Sequence, residues 1–263
     1  MELQDKVVVV TGAARGIGFA LAQAFVAAGA RHVVVVDLRQ ADVDAAVAQL
    51  GERTSGVALD VADRGALHQL VADVEAAHGP IDLFASNAGI ASGAGVEASD
   101  EVWQAMFGVN VLAHVHAAEA VLPSMLARGE GYLLSTASAA GLLSQIGDLP
   151  YSVTKHAAVA VAEWLAITYA DRGITVSCLC PQGVNTAMVN GGIGHEAAAT
   201  VVAQGLLEPE QVAAEVVAAI GREDFLILPH PEVAEYYRRR ATDPDRWLAG
   251  MSRLQARIVD ALG

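Results

Sequence analysis

Apolar residues along this chain cluster in two alternating ways. Continuous runs, many of them rich in β-branched residues, recur at 6–11, 32–37, 55–59, 81–85, 131–136, 174–180 and 225–228. A run without polar alternation is what a parallel strand buried on both faces requires. Helical stretches lie between them: Phe19 to Ala28, rich in alanine and ending at Gly29, reads as one helix and the region near Ala41 to Leu50 as another. Seven strands alternating with helices predict an α/β fold, a doubly wound parallel sheet whose ligand lies at the carboxyl ends of the strands. No Pro/Ser-rich linker, low-complexity run or internal repeat breaks the pattern, so residues 1–263 are expected to form a single domain.

One helix departs from the usual one-sided pattern. Ala157 to Ala170 carries Glu163 as its only charge, so its outer surface is as apolar as its inner one. A helix apolar all round is usually buried all round. The stretch from Trp103 to Leu126 is similarly apolar, and the two together predict a helix-on-helix interface between copies of the chain. An alanine-rich surface helix is the alternative.

The first strand runs directly into Thr11-Gly12-Ala13-Ala14-Arg15-Gly16-Ile17-Gly18 and then a helix. Strand, glycine-rich turn and helix N-terminus in that order make an anion site, because unpaired backbone N–H groups and the helix dipole point at a phosphate. Gly12, Gly16 and Gly18 let the backbone approach a pyrophosphate, which predicts a Rossmann-type dinucleotide site. The second strand ends in Asp37, nineteen residues after Gly18. An acid there accepts hydrogen bonds from ribose hydroxyls and repels a 2′-phosphate, so the expected cofactor is NAD. Arg15 and Arg39 argue the other way, since a guanidinium could pair with a 2′-phosphate. Asp37 as a cap for the following helix is compatible with either cofactor.

Candidate chemistry centres on Tyr151 and Lys155, four apart, with Ser138 thirteen residues upstream. Five tyrosines and two lysines in 263 residues give on the order of 0.04 such pairs by chance. On a helix the two side chains share a face. A cation within a few Å favours the phenolate and moves a phenol toward the range where it acts as general acid/base. Ser138 supplies a neutral hydroxyl to orient the oxygen whose proton moves. The structural alternative is an amphipathic Tyr and a snorkelling Lys, placed for packing.

Charge and composition narrow the partners. A net charge of −14 leaves no basic face for nucleic acid, and Arg238-Arg239-Arg240 reads as a solvated helix face. No signal peptide is expected, and no apolar run is long enough to predict a membrane span. Cys178 and Cys180, two apart on a predicted buried strand, have neither redox nor zinc spacing, and they read as reduced core residues of a cytoplasmic protein. None of the eight histidines shows ligand spacing, so no metal is expected.

From about Asp5 to Leu228 these motifs together resemble the short-chain dehydrogenase/reductase family. The turn Thr11 to Gly18, including Arg15 and Ile17, is similar to that family's T-G-x-x-x-G-I-G element. Asp60-Val61 resembles its adenine-contacting pair, and Ser86-Asn87-Ala88-Gly89 its N-N-A-G element, with Ser86 replacing the first asparagine. The resemblance implies that Asn110 holds a water of the proton relay, that Ser138, Tyr151 and Lys155 are catalytic, and that Tyr151 and Lys155 also touch the cofactor, Lys155 at its ribose. It further implies that Pro181, Gly183, Val184 and Thr186 flank the nicotinamide, Val184 and Thr186 holding its carboxamide. The usual Pro-Gly is Pro181-Gln182 here, which alters the pocket.

By the same resemblance Ser138, Leu142, Leu143, Gln145, Leu149, Gln182 and Met188 line the substrate pocket, which favours an uncharged, fairly hydrophobic secondary alcohol or ketone. The family implies a homo-oligomer, commonly a tetramer, otherwise a dimer. Residues 186–208, with the glycine-rich stretch Asn190 to Gly194, read as a lid or a plain surface loop. The extension 231–263 either covers a pocket, in this subunit or a neighbour, or packs on the core. Epimerase or dehydratase chemistry on the same fold, or non-catalytic dinucleotide sensing, are the alternatives to NAD-dependent redox.

Overall fold

Parallel strands occur where the valine runs predict them. The computed structural model describes residues 1–189, 198–199 and 205–262; the stretch Asn190 to Gly194 and much of the lid expected at 186–208 lie outside them. In chain order the elements begin β1 (Val7–Thr11), α1 (Gly16–Ala27), β2 (His32–Asp37), α2 (Gln40–Leu50), β3 (Thr54–Ala58), α3 (Arg64–His78) and β4 (Leu83–Ser86). Then come α4 (Asp100–Phe107), a π turn (Gly108–Leu112), α5 (Ala113–Arg128), β5 (Gly131–Thr136), α6 (Ala140–Leu143), α7 (Leu149–Tyr169) and β6 (Ile174–Leu179). The chain closes with α8 (Pro209–Arg222), β7 (Leu226–Ile227), α9 (Glu232–Thr242) and α10 (Pro244–Leu262). All pairings are parallel, in the order β3-β2-β1-β4-β5-β6-β7. The order reverses between β1 and β4, which opens a crevice at their carboxyl ends.

Alternate residues of one strand feed opposite layers. Val7, Val9, Val34 and Val36 pack with α3, α5 and α7, whereas Val8, Val10, Val33 and Val35 pack with α1 and α8. All eight are buried, each stabilising the fold by roughly 1.5–3 kcal/mol before entropy is counted. Cys178 and Cys180 are free and buried on the first of these layers.

Three boundaries differ from expectation for physical reasons. Helix α1 starts three residues early, at Gly16, because the tight turn overrides the poor helix propensity of glycine. Ladder pairing of β4 begins only at Leu83; Asp82 bonds to both neighbouring strands through its backbone, N donating to Val7 O and O accepting from Tyr132 N, both at 2.9 Å, while its Oδ2 takes Val7 N at 2.8 Å in place of a strand carbonyl. The apolar stretch from Trp103 belongs to a helical run, Asp100–Arg128, that widens at the π turn. By length and composition alone this run is apolar enough to cross a membrane, unlike anything expected from the sequence, but Ala117, Val121 and Met125 on it pack in the core.

Helix α7 is not buried all round. Its inner face holds Ala158, Ala162 and Leu165, while Val153, Trp164 and Ile167 stay exposed, Ile167 at 83%. Phe107, Leu112 and Val115 are exposed on the neighbouring helical run. The extension from 231 packs against its own subunit: Val233 is buried, and Tyr236 and Trp247 lie against the core with ring centroids 6.2 Å apart. Arg238 and Arg239 are solvated and paired with Glu235. Arg240 corrects the reading of all three as solvated, because it turns inward to donate to the Leu142 carbonyl beside His156.

Candidate active site

The turn after β1 is held against the turn after β4 by Thr11 and Asn87. Thr11 Oγ1 accepts from Asn87 N at 3.0 Å and Ala88 N at 3.1 Å, and Asn87 Nδ2 donates to Thr11 O at 3.0 Å. This closeness requires glycine twice. A Cβ on Gly12, whose φ is +62°, would lie 2.8 Å from Ala88 Cα, and one on Gly18 would lie 2.1 Å from Gly12 O. Helix α1 has no capping side chain and no acid in its first turn, so its N–H groups stay available to an anion.

A cavity of about 340 Å³ opens over this cradle. Gly12, Arg15, Gly16, Ile17 and Gly18 form its floor, Asp37, Asp60 and Val61 one end, and Asn87, Ala88 and Gly89 one wall. The opposite end is made by Ser138, Gln145, Asp148, Tyr151, Lys155, Pro181, Gln182, Val184, Thr186 and Met188. Asp37 does not cap α2, whose N-cap is Arg39; Asp37 Oδ2 accepts from Ala14 N at 3.0 Å and Oδ1 from Leu38 N at 2.8 Å. Arg39 is engaged elsewhere, its Nε donating to Asp42 at 2.7 Å. The glycine cradle, the open helix end and the acid at the tip of β2 fit an adenine dinucleotide.

Tyr151 and Lys155 share one face of α7, with the Lys155 Nζ 5.7 Å from the Tyr151 ring centroid. Nζ also donates to Thr136 O at 3.0 Å. Burial pulls the Lys155 ammonium down to about 8. Burial likewise pushes the Tyr151 phenol up; the Ser138 hydrogen bond pulls it down, and the Asp148 carboxylate adds to the rise. Lys155 is not among the groups that shift the phenol, so the lowering expected from it is not seen here.

Several residues stand apart from the cavity. Leu142 and Leu143 are buried in the core on α6, and Leu149 is exposed at the start of α7; of the expected apolar wall only Met188 lines the cavity, joined by Ile90, Val109 and Val189. Asn110 is fully buried at the π turn. It accepts from Ile90 N at 2.9 Å, donates to Ile90 O at 2.9 Å and to Thr154 Oγ1 at 3.1 Å, and so acts on the site through the loop after β4. Gly183 lies behind the wall, its carbonyl 3.0 Å from His230 Nε2.

Sequence reasoning missed Asp148. It is buried and accepts four hydrogen bonds, from Tyr151 N (2.9 Å), Ser92 N (2.8 Å), Ser92 Oγ (2.7 Å) and Gly93 N (2.7 Å). One carboxylate thus caps the helix carrying Tyr151 and clamps the loop over the cavity. An Asp ahead of Leu149-Pro150 is a helix-start signal that would have found the cap; nothing local reveals the clamp.

The family described as short chain dehydrogenase matches residues 6–192. A 1-deoxy-11-beta-hydroxypentalenate dehydrogenase of Streptomyces avermitilis is 33% identical over 257 residues, 95% of this chain and 93% of that protein. A short-chain dehydrogenase/reductase of Burkholderia phymatum, solved in complex with NAD, is 30% identical and superimposes with a TM-score of 0.85 over 93% of this chain and 96% of that one. An L-sorbose reductase of Gluconobacter frateurii, solved with NADPH and L-sorbose, is also 30% identical, with a TM-score of 0.75 over 83% and 91%.

Proposed function

The chain belongs to the short-chain dehydrogenase/reductase family, and from that premise we propose that it interconverts a fairly hydrophobic secondary alcohol and its ketone with NAD. The observation that carries this reading is the convergence of Ser138, Tyr151 and Lys155 on the cavity that the glycine cradle and Asp37 also line. Binding alone requires no aligned proton-transfer group. NAD is favoured because Asp37 faces the cavity while Arg39 is paired with Asp42; an acid there repels a 2′-phosphate.

When bound, the dinucleotide supplies the hydride acceptor or donor. Tyr151 moves the proton of the substrate oxygen, as acid toward the ketone and as base toward the alcohol. The raised phenol suits the acid role near neutrality. Ser138 Oγ, positioned by accepting from Ala140 N at 3.1 Å, orients that oxygen once its single proton turns away from the long 3.4 Å contact to Pro181 O. Lys155 keeps a positive charge beneath Tyr151 and favours its ionised form in the oxidation direction. Asn110 fixes the loop that forms the adjacent wall. The exposed apolar faces of α7 and the α4–α5 run support a homo-oligomer, and the buried free cysteines fit a cytoplasmic location.

The test is NADH formation at 340 nm across aliphatic, cyclic and aryl secondary alcohols, with NAD and then NADP. Turnover with one class, little activity with NADP, and a loss of about 10²–10⁴-fold in Tyr151→Phe with NADH binding retained are expected. Equal turnover by Tyr151→Phe would sink the proton-transfer role, and preference for NADP would overturn the Asp37 argument.

A further inference from the structure

The C-terminal extension reaches the elements that carry the proposed reacting groups. Ser138 opens the single helical turn α6: its Oγ accepts from Ala140 N at 3.1 Å and its carbonyl from Gly141 N at 2.9 Å. Four residues do not hold a helix by themselves. The turn ends at Ser144, whose φ of +89° is strained for a residue with a side chain. It is also pressed against α7, since a Cβ on Gly141 would lie 2.4 Å from the Lys155 carbonyl oxygen. The place of Ser138 therefore depends on what keeps this short turn closed and seated on the helix of Tyr151 and Lys155.

Half-buried Arg240, from α9, joins the two elements. Its Nη1 donates to Leu142 O in the last turn of α6 and lies 3.2 Å from His156 Nε2 on α7. A guanidinium can only donate, so His156 Nε2 accepts and His156 Nδ1 donates to Ser152 O at 2.8 Å. A cation at the C-terminal carbonyls of a helix is stabilising. Arg240 has no carboxylate partner among the described residues, whereas Arg238 and Arg239 both pair with Glu235. We infer that Arg240 is a positioning residue for the proton transfer: by tying the Ser138 turn to the helix of Tyr151 and Lys155, it fixes how the Ser138 hydroxyl meets the Tyr151 phenol. The extension then supports the site, although none of its described residues lines the cavity. The Ser138 hydroxyl lowers the Tyr151 phenol, so a displaced Ser138 lets that phenol rise.

This inference rests on the oxidoreductase reading, and the experiment separates the two. Oxidation of the best secondary alcohol is followed with NAD across pH for the wild type, Arg240→Met, Arg240→Lys and Arg238→Met. All four are assayed below their melting ranges, with active sites counted by NADH fluorescence. Arg240→Met keeps the apolar stem and removes the donors. The expected result is a kcat lower by about tenfold or more, a rising limb of kcat/KM moved to higher pH by about half a unit, and NADH affinity within about twofold. Arg240→Lys, which can still donate to the Leu142 carbonyl, should recover part of both losses. Arg238→Met removes the same charge from the exposed side of the same helix and should change neither. An unmoved limb in Arg240→Met, even with a lower Tm or kcat, would reduce Arg240 to a structural role and overturn the inference while leaving the oxidoreductase reading intact. An equal shift in Arg238→Met would overturn it in favour of long-range charge. Turnover of no secondary alcohol by a wild type that binds NADH would overturn both.

Discussion

Replacing Asp148 by asparagine removes a charge and half of the acceptor capacity from a buried carboxylate that holds four donors. Oδ1 takes Tyr151 N and Ser92 Oγ, and Oδ2 takes Ser92 N and Gly93 N. Asparagine can satisfy only one of these pairs; its NH₂ then faces two donors. Hydrogen bonds to a charged group are worth about 1.5–3 kcal/mol each and add imperfectly within one network. A loss of about 3 kcal/mol, hence roughly 6–12 °C in Tm for a domain of this size, is expected. The charge has a separate signature. Because the Asp148 anion contributes to raising the Tyr151 phenol, its removal lets the phenol ionise at lower pH. The rising limb of log(kcat/KM) for alcohol oxidation against pH should therefore move down in Asp148→Asn. Thermal melts and pH–rate profiles of both proteins, at matched protein concentration, read the two effects separately. A lowered Tm with an unmoved limb would refute the electrostatic link to Tyr151, and an unchanged Tm would refute the four-donor clamp.

Two further predictions concern residues away from the reaction. His114 is fully buried without a partner for either ring nitrogen among the described residues, and burial, then the Lys155 charge, pulls it down to about 3. The folded state resists a proton that the unfolded chain takes up near 6.5, so stability is complete above that pH and falls as pH drops toward 3, by up to about 4–5 kcal/mol. His114→Leu should flatten urea-unfolding stability between pH 7 and 4; an equally steep loss would show that other groups govern it. Ile167, 83% exposed on α7, tests the assembly. Ile167→Asp should leave an isolated subunit within about 0.5 kcal/mol of the parent and lower the mass seen by light scattering; a parent that is already monomeric would refute the interface.

Sequence alone determined what depends on neighbours along the chain. The valine runs of β1 and β2 set both strands because burial on two faces demands continuous apolar residues. The Gly12–Gly18 turn and the four-residue step from Tyr151 to Lys155 are likewise local, as backbone freedom and helix period act over a few residues. The start of α1 slipped because a tight turn outweighed propensity, and that of β4 because Val7 N donates to the Asp82 carboxylate rather than to a strand carbonyl. Tertiary structure decided what depends on groups far apart in sequence. The clamp of Asp148 on Ser92 spans 56 residues, the hold of His230 on Gln182 spans 48, and Arg240 reaches back 98 residues to Leu142. Leu142 and Leu143 left the expected pocket wall for the same reason, since α6 turns them into the core. Hydrogen-bond partners across the sheet carry no periodic signature, so only the packed fold could show which carboxylate holds the helix that carries Tyr151.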